Sequence, residues 1–547
     1  MLTHRRILGH ALALALGAAA CTTTEHPGVE YDARGPIGPQ RFVHDGFGGI
    51  GLATLATNAL PYKVMATALL SAEERRTGVA PDARELPRLL GRYGFLSPVR
   101  IANWPESLAQ PRLERPLGVV SAEIVGLVPP MRIDAINLGC AACHAGALYD
   151  RTGKPTREAW LGLPNTSIDL EHYTHDVYAA LKELPREPDE LAAAVRRFFP
   201  DIGWRERFAL EHVLAPRIAK RLGELEAGLD APAPISNGGP GRTNGVGALK
   251  LVLGLVHGDE RASEVGFTSI PDLAWRGLRS SLLYDGFYAS DPDERFEPRD
   301  EGDASRAHAD ELGAIVTFFT VPTMGMQPAR SERAIPRVNE VVRWLVASYR
   351  PPPFSGPLDE AKALRGRALY AEHCASCHGA TSEGLRDVRL VSYPNRLVPQ
   401  HAIGTSAARS QAIDDELVAA VSNTAIARHA APATTGGYFA PILSGLWATA
   451  PYLHNGSVPT LWHLMHPAER PARFEVGGHA LDWTKVGIAG AMNADGDYVY
   501  PAEYVPWSEP ELYDTRRPGL ENTGHEREFE ALSEPEKDEL LEYLKVL

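Results

Sequence analysis

The residues best suited to chemistry in this chain fall in two short stretches, NLGCAACHAG at 137–146 and EHCASCHGAT at 372–381. Each sets two cysteines three positions apart with a histidine directly after the second: Cys140, Cys143 and His144, then Cys374, Cys377 and His378. This spacing lets two thioethers reach the two vinyl edges of one haem and brings the following imidazole under the iron as its proximal ligand. A shared zinc site would have to join pairs that lie far apart in the sequence. Neither a dithiol redox motif nor a disulfide accounts for a histidine after both pairs. Two covalently bound c-type haems are therefore expected. The fifth cysteine, Cys21, stands outside both motifs.

The sixth position of each iron separates a relay from a catalyst. Two strong protein ligands make an electron carrier, whereas an open or water-filled position makes a site for oxygen or peroxide. For the second haem the C-terminal region offers many histidines and methionines, His454, Met465 and His525 among them, and periodicity does not choose. For the first, no histidine follows the motif until His172, and both His172 and His175 fall on a candidate helix. The His144 haem is accordingly expected to be open on its distal side.

Several elements must position these groups. NTSIDLEHYTHDVYAALKEL, with apolar Ile168, Leu170, Val177, Tyr178 and Leu181, reads as a helix, as do ELGAIVTFFT and RVNEVVRWLVASY. The prolines of RPPPFSG at 350–356 end the last of these and mark a domain boundary. Beyond them, LDEAKALRGRALYAEHCASCHG reads as an amphipathic helix feeding the second motif. LSEPEKDELLEYLKVL, with a capping box formed by Ser533 and Glu536, reads as a terminal helix. A helix before the motif and one at the chain end is the plan of a small cytochrome c domain. The expected fold is mainly α: two cytochrome c-like haem domains with long loops, 41–350 and 351–547, the first enlarged by extra helices.

The 547 residues leave room for more than one core, with 44% hydrophobic and 23% charged residues. In MLTHRRILGHALALALGAAAC, Arg5 and Arg6 precede an apolar run too short to span a bilayer, which reads as an export signal over 1–21. Because its small residues stop at Cys21, the stretch resembles a bacterial lipoprotein cleavage site with Cys21 lipidated, followed by a tether over 22–40. The expected location is the periplasm or cell envelope on a lipid anchor, with secretion as the alternative. A net charge of −14 argues against nucleic acid and against anionic membrane faces as partners. Glycine-rich DGFGGIGLATLA at 45–56 lacks the strand-then-helix context of a nucleotide loop.

The segment GLWATAPYLHNGSVPTLWHLM at 445–465 resembles the tract after the second haem in bacterial di-haem cytochrome c peroxidases. GCAACHAG, LPNTSIDLEHY, GPGRTNGVGAL, FEVGGHALDWTKVG and NTGHEREFEALSEPEKDELLEYLKVL are similar to the branch of that superfamily containing rubber oxygenases and di-haem fatty-acid dioxygenases. The resemblance implies His144 as ligand of the catalytic iron and His378 with His525, from a late N-x-G-H motif, as the axial pair of an electron-transfer haem. His454 has a hydrogen-bonding role as its alternative. IPDLAWRGLRSSLLYDGF at 270–287 resembles the distal segment of the oxygenase branch, which makes Trp275 a catalytic candidate and Tyr284 and Phe287 candidates for the distal pocket. The activity so implied is peroxidase-type reduction of hydrogen peroxide, fed by a small soluble cytochrome or cupredoxin. The alternatives are dioxygenation of an alkene (polyisoprene or an unsaturated fatty acid) and an anchored electron carrier or redox sensor.

Overall fold

The computed structural model describes residues 21–24, 30–46, 60–127, 130–216, 218, 236–255, 266–323 and 328–547. The export-signal stretch 1–20 and most of the glycine-rich segment lie outside the described residues. Among the described residues no helix is long and apolar enough to cross a membrane.

The first region alternates helices with hairpins. A strand β1 (Cys21–Thr24) runs antiparallel to β2 (Val119–Leu127), which pairs along its length with β3 (Pro130–Leu138) in the register Val119 to Leu138. Helix α1 (Ile37–His44) follows the first strand closely, so the expected tether over 22–40 contains paired strand and the start of a helix. The many β-branched residues of VVSAEIVGL and PMRIDAINL suit a pleated hairpin. A second hairpin, β4 (Ala145–Tyr149) with β5 (Pro155–Leu161), begins immediately after His144. Helices α2 (Tyr62–Thr77), α3 (Leu170–Lys182) and α4 (Pro188–Phe198) bury Leu69, Leu70, Val177, Leu181, Leu191 and Val195 against Ile133 and Ile136 of β3. A separate core forms where α5 (Gly245–Val252), α6 (Arg306–Thr323) and α7 (Ile335–Ser348) meet Phe287, Tyr288, Leu417 and Val421.

The second region is built on a helix pair. Helix α8 (Glu360–His373) is capped by Asp359, whose carboxylate accepts from the Lys362 amide at 3.0 Å, and it delivers the chain to Cys374. It crosses α10 (Glu534–Leu544), the terminal helix; a short α9 (Glu526–Glu530) precedes α10. At the crossing the helices nearly touch: a Cβ at Gly366 would lie 1.9 Å from the Glu539 carbonyl oxygen. The rings of Tyr370 and Tyr543 meet at 5.4 Å beside it. The capping box of Ser533 and Glu536 is formed, with the Ser533 amide donating to the Glu536 carboxylate at 2.8 Å. Strands β6 (Arg473–Val476) and β7 (Glu511–Asp514) pair antiparallel on the flank of this core.

With 41% helix and 15% strand the fold is mixed, not mainly α as expected. The excess strand lies largely in the hairpins around the first motif, where residues alternate over short lengths and carry no helical period. The prolines after Arg350 do end α7, but the two regions stay interlocked. The Leu481 amide donates to the Gly153 carbonyl at 2.8 Å, the Ser269 amide to the His454 carbonyl at 2.7 Å, and the Gly478 amide to Ser167 Oγ at 2.9 Å.

Candidate functional site

The first motif occupies the gap between two hairpins. Chain leaving β3 at Leu138 makes a single tight turn, Cys140–Ala142, and re-enters a strand at Ala145. Gly118 lets β2 press against that turn, since a Cβ there would sit 2.0 Å from the Ala142 amide nitrogen and its φ is +79°. Asn165 clamps the other side: its buried amide group donates to the carbonyls of Ala142 and Gly94 at 3.1 and 2.8 Å, while its backbone amide donates to the Cys143 carbonyl at 2.8 Å. The Gly162 amide donates to the His144 carbonyl at 2.8 Å. Burial pushes the Cys140 and Cys143 thiols up to about 12. Burial also pushes His144 down to about 3, with the Arg276 charge second, so its imidazole is neutral and fit to be a ligand. Its Nδ1 is buried and has no hydrogen-bond partner, and the Pro271 backbone only weakly opposes the lowering.

The second motif is delivered by a helix. Following α8, Ala375–His378 forms one more helical turn, ended by Gly379 at φ +93°. His378 Nδ1 lies 2.8 Å from the Pro441 carbonyl oxygen. A carbonyl only accepts, so Nδ1 carries the hydrogen and Nε2 keeps its lone pair, the arrangement that orients a metal-binding imidazole. Opposite His378 stands His525: the ring centres are 6.3 Å apart and the planes 26° from parallel. Two metal–nitrogen bonds of about 2 Å each, with a ring radius added on either side, fill that separation. Burial, then His378 and Arg470, push His525 down to about 3, which keeps it neutral as well. His525 takes φ +65°, a conformation that costs a non-glycine residue about 1–3 kcal/mol and therefore needs support. Arg470 supplies it by donating to the carbonyls of Asn522 at 2.6 Å, Gly524 at 2.9 Å and Leu464 at 2.8 Å, while the His525 amide donates to the Ile403 carbonyl at 3.1 Å.

Both motifs open on one continuous cavity of about 1160 Å³, above the roughly 300–1,000 Å³ of an ordinary small-molecule pocket. Cys140, Cys143, His144, Cys374, Cys377, His378 and His525 all line it. The donor set fits haem c at each end: thiols at thioether spacing and a buried imidazole kept neutral.

The distal candidates are only partly brought together. Tyr284 lines the cavity, its hydroxyl 3.0 Å from Ser269 Oγ. Trp275 does not: its ring packs under the Arg350 guanidinium at 4.5 Å and against buried apolar residues such as Leu278, while Arg276 joins the wall. Phe287 is wholly buried in the core with Tyr288 and also lies off the cavity wall. His172 reaches the wall but is held by Asp169, Nδ1 to Oδ2 2.5 Å, and that bond raises it to about 9. His454 is buried in the wall between the rings of Tyr438 and Tyr284, with Nδ1 3.2 Å from Thr405 Oγ1. Among the described residues no imidazole stacks opposite His144 as His525 does opposite His378. The wall also carries Leu251 of α5, Leu312, Val316 and Phe319 of α6, Val342 of α7 and Leu282, together with polar side chains such as Asn237, Asn244, Arg409 and Glu528.

Sequence reasoning missed the Pro441 carbonyl and Arg470, and neither carries a distinguishing mark: Pro-x-Leu at 441–443 also occurs at 87–89, 111–113, 271–273 and 459–461.

Two family models match the C-terminal region: cytochrome c over residues 363–438, and RoxA-like, cytochrome c-like over residues 437–475. This region is a cytochrome c domain. The match implies covalently bound haem c, Cys374, Cys377 and His378 fall within it, and the two models support a cytochrome c, RoxA-like family. Two uncharacterized proteins of Sinorhizobium fredii are also similar. One, y4iM, is 34% identical over 197 residues, covering 32% of this chain and 44% of its own length. The other, y4iJ, is 29% identical over 252 residues, covering 35% and 40%. The chain thus spans less than half the length of these curated relatives.

Proposed function

We propose that this chain is an exported di-haem c-type oxidoreductase in which the haem on His144 is the reacting centre and the haem on His378, with His525 as second axial ligand, passes or stores electrons. The observation that carries this reading is the asymmetry between the two sites: His378 faces an imidazole at ligand-pair separation, and His144 faces cavity. When bound, the irons supply the redox chemistry. The chain orients the second site through the Pro441 carbonyl and the Arg470-braced loop, and it lines the cavity shared by the first with apolar side chains of α5, α6 and α7 beside polar ones.

Those apolar side chains favour dioxygen and an unsaturated hydrocarbon chain, such as a fatty acid or polyisoprene, as the substrates. The titratable groups nearest to serving as a proton donor or acceptor are already engaged. His172 is bound to Asp169, and the Glu171 carboxylate accepts from Ser236 Oγ, the Asn237 amide and the Gly238 amide. One observation favours a second reading, peroxide reduction with a small cytochrome or cupredoxin as donor: the His378–His525 pair is suited to store the extra electron that peroxide reduction consumes, whereas insertion of both oxygen atoms at a double bond consumes none. The test is oxygen uptake on an unsaturated fatty acid and on polyisoprene without reductant, beside peroxide consumption with a reduced cytochrome. Uptake with an oxygenated or cleaved product is expected. Peroxide turnover alone would replace this reading with the second. Neither activity, with two low-spin haems indifferent to carbon monoxide, would leave a carrier.

A further inference from the structure

Between the two motifs the cavity wall carries more positive charge than the described residues balance. Arg276 and Arg279 both line it, and neither makes an ion pair with a carboxylate among the described residues. Arg279 is satisfied by backbone, donating to the carbonyls of Ser281 and Leu283, each at 3.0 Å. Arg276 is not: Nη2 donates to the Asp272 carbonyl, and Nε is buried without a partner. The one acid close by, Asp272, is spent elsewhere. Its Oδ2 accepts from Tyr349 at 2.5 Å, and its Oδ1 accepts from Ser444 Oγ at 2.7 Å and the Ala274 amide at 2.8 Å. A buried guanidinium with an unmet donor is costly and calls for an anion. Asp272, whose carbonyl anchors Arg276, lines the same cavity as Arg276 and His144.

We infer that Arg276 binds a propionate carboxylate of the haem attached at His144 and, as a positioning residue, raises the reduction potential of that haem. This rests on the reading that His144 carries a haem. A planar guanidinium offers a carboxylate two parallel donors, the geometry that makes arginine the preferred partner for such a group. A fixed positive charge beside an iron favours the reduced, less positive state. Burial lowers the Arg276 pKa, and the Arg276 charge in turn disfavours protonation of His144, in keeping with a cation that faces the first site.

The test uses the full holoprotein with Arg276→Gln and Arg276→Lys. Haem is counted by its alkaline pyridine spectrum, the two potentials are read by spectroelectrochemical titration, and the propionate-bending bands by resonance Raman. Arg276→Gln is expected to retain two haems and to make reduction of the His144 haem at least tenfold less favourable, a fall of 59 mV or more for a one-electron couple, with the His378 haem moving less. Arg276→Lys keeps the charge without the fork, so the propionate band should shift while the potential moves less than in Arg276→Gln. Two haems with both potentials unmoved in Arg276→Gln would overturn the assignment. If that variant does not fold, an unaltered propionate band in folded Arg276→Lys would overturn it. One haem per chain in the unaltered protein would instead remove the di-haem reading on which it rests.

Discussion

Around Cys374–His378 the chain delivers its histidine from the end of a long helix braced by a second one, whereas around Cys140–His144 it does so from a single turn pinched between two hairpins. The same five-residue motif therefore sits in two mechanical settings. In the second, the loop after β7 is bent into a left-handed residue and held by Arg470 so that His525 closes over His378. In the first, no imidazole stacks on His144 among the described residues, and side chains of α5, α6 and α7 share its cavity. Attachment chemistry is local and can be copied. What stands on the far side of the iron depends on which distant segment the fold brings over it.

The largest expected effect would erase the difference between the two sites. His525→Ala should convert the low-spin signal of the His378 haem to high spin and let it bind carbon monoxide, as the His144 haem is expected to do. Electron paramagnetic resonance of the oxidised protein and carbon monoxide difference spectra check it, and a surviving low-spin signal would point to another ligand. Next, Asn165→Ala should loosen the first site alone. It leaves the buried carbonyls of Ala142 and Gly94 without their donor, a loss of roughly 2–6 kcal/mol at about 1–3 kcal/mol per unsatisfied group. Denaturant titration followed at each haem's own absorbance should show the His144 haem exposed first.

Smaller effects sharpen the contrast. Ser533→Ala removes one half of the capping box of α10 and should cost about 1 kcal/mol, lowering the thermal midpoint without altering either haem spectrum. The smallest is electrostatic and confined to the first region. The bond from Asp169 raises His172 above its ordinary value to about 9, so the pair stabilises the folded state fully below the ordinary histidine pKa and progressively less as pH rises through about 9. His172 is more than half exposed, which leaves the effect small. The difference in thermal midpoint between the unaltered protein and His172→Gln should therefore shrink between pH 6.5 and 9, and a constant difference would show that the pair carries no charge coupling.

Much of the second site was legible because its determinants are close in sequence and helical. The run from Asp359 to His378 has a cap, an apolar face and the motif in order, and the terminal helix announces itself by Ser533 and Glu536. The first region was read as more helical than it is because its hairpins are short and its strand residues, in VVSAEIVGL and PMRIDAINL, carry no sharp period. Trp275 takes φ +58° and lies off the cavity wall, and nothing in the types around it marks that φ.

By itself the sequence determined the two candidate attachment motifs, because thioether spacing and the adjacent imidazole are set within five residues. It also determined the helix pair around the second motif, because capping and amphipathic spacing act within a few turns. Only the tertiary structure decided that His525 stands over His378, that apolar side chains share the cavity of His144, that both motifs share one cavity, and that Arg276 reaches it with an unmet donor. Those relations join residues tens to hundreds of positions apart, and packing and hydrogen-bond satisfaction set them across that distance.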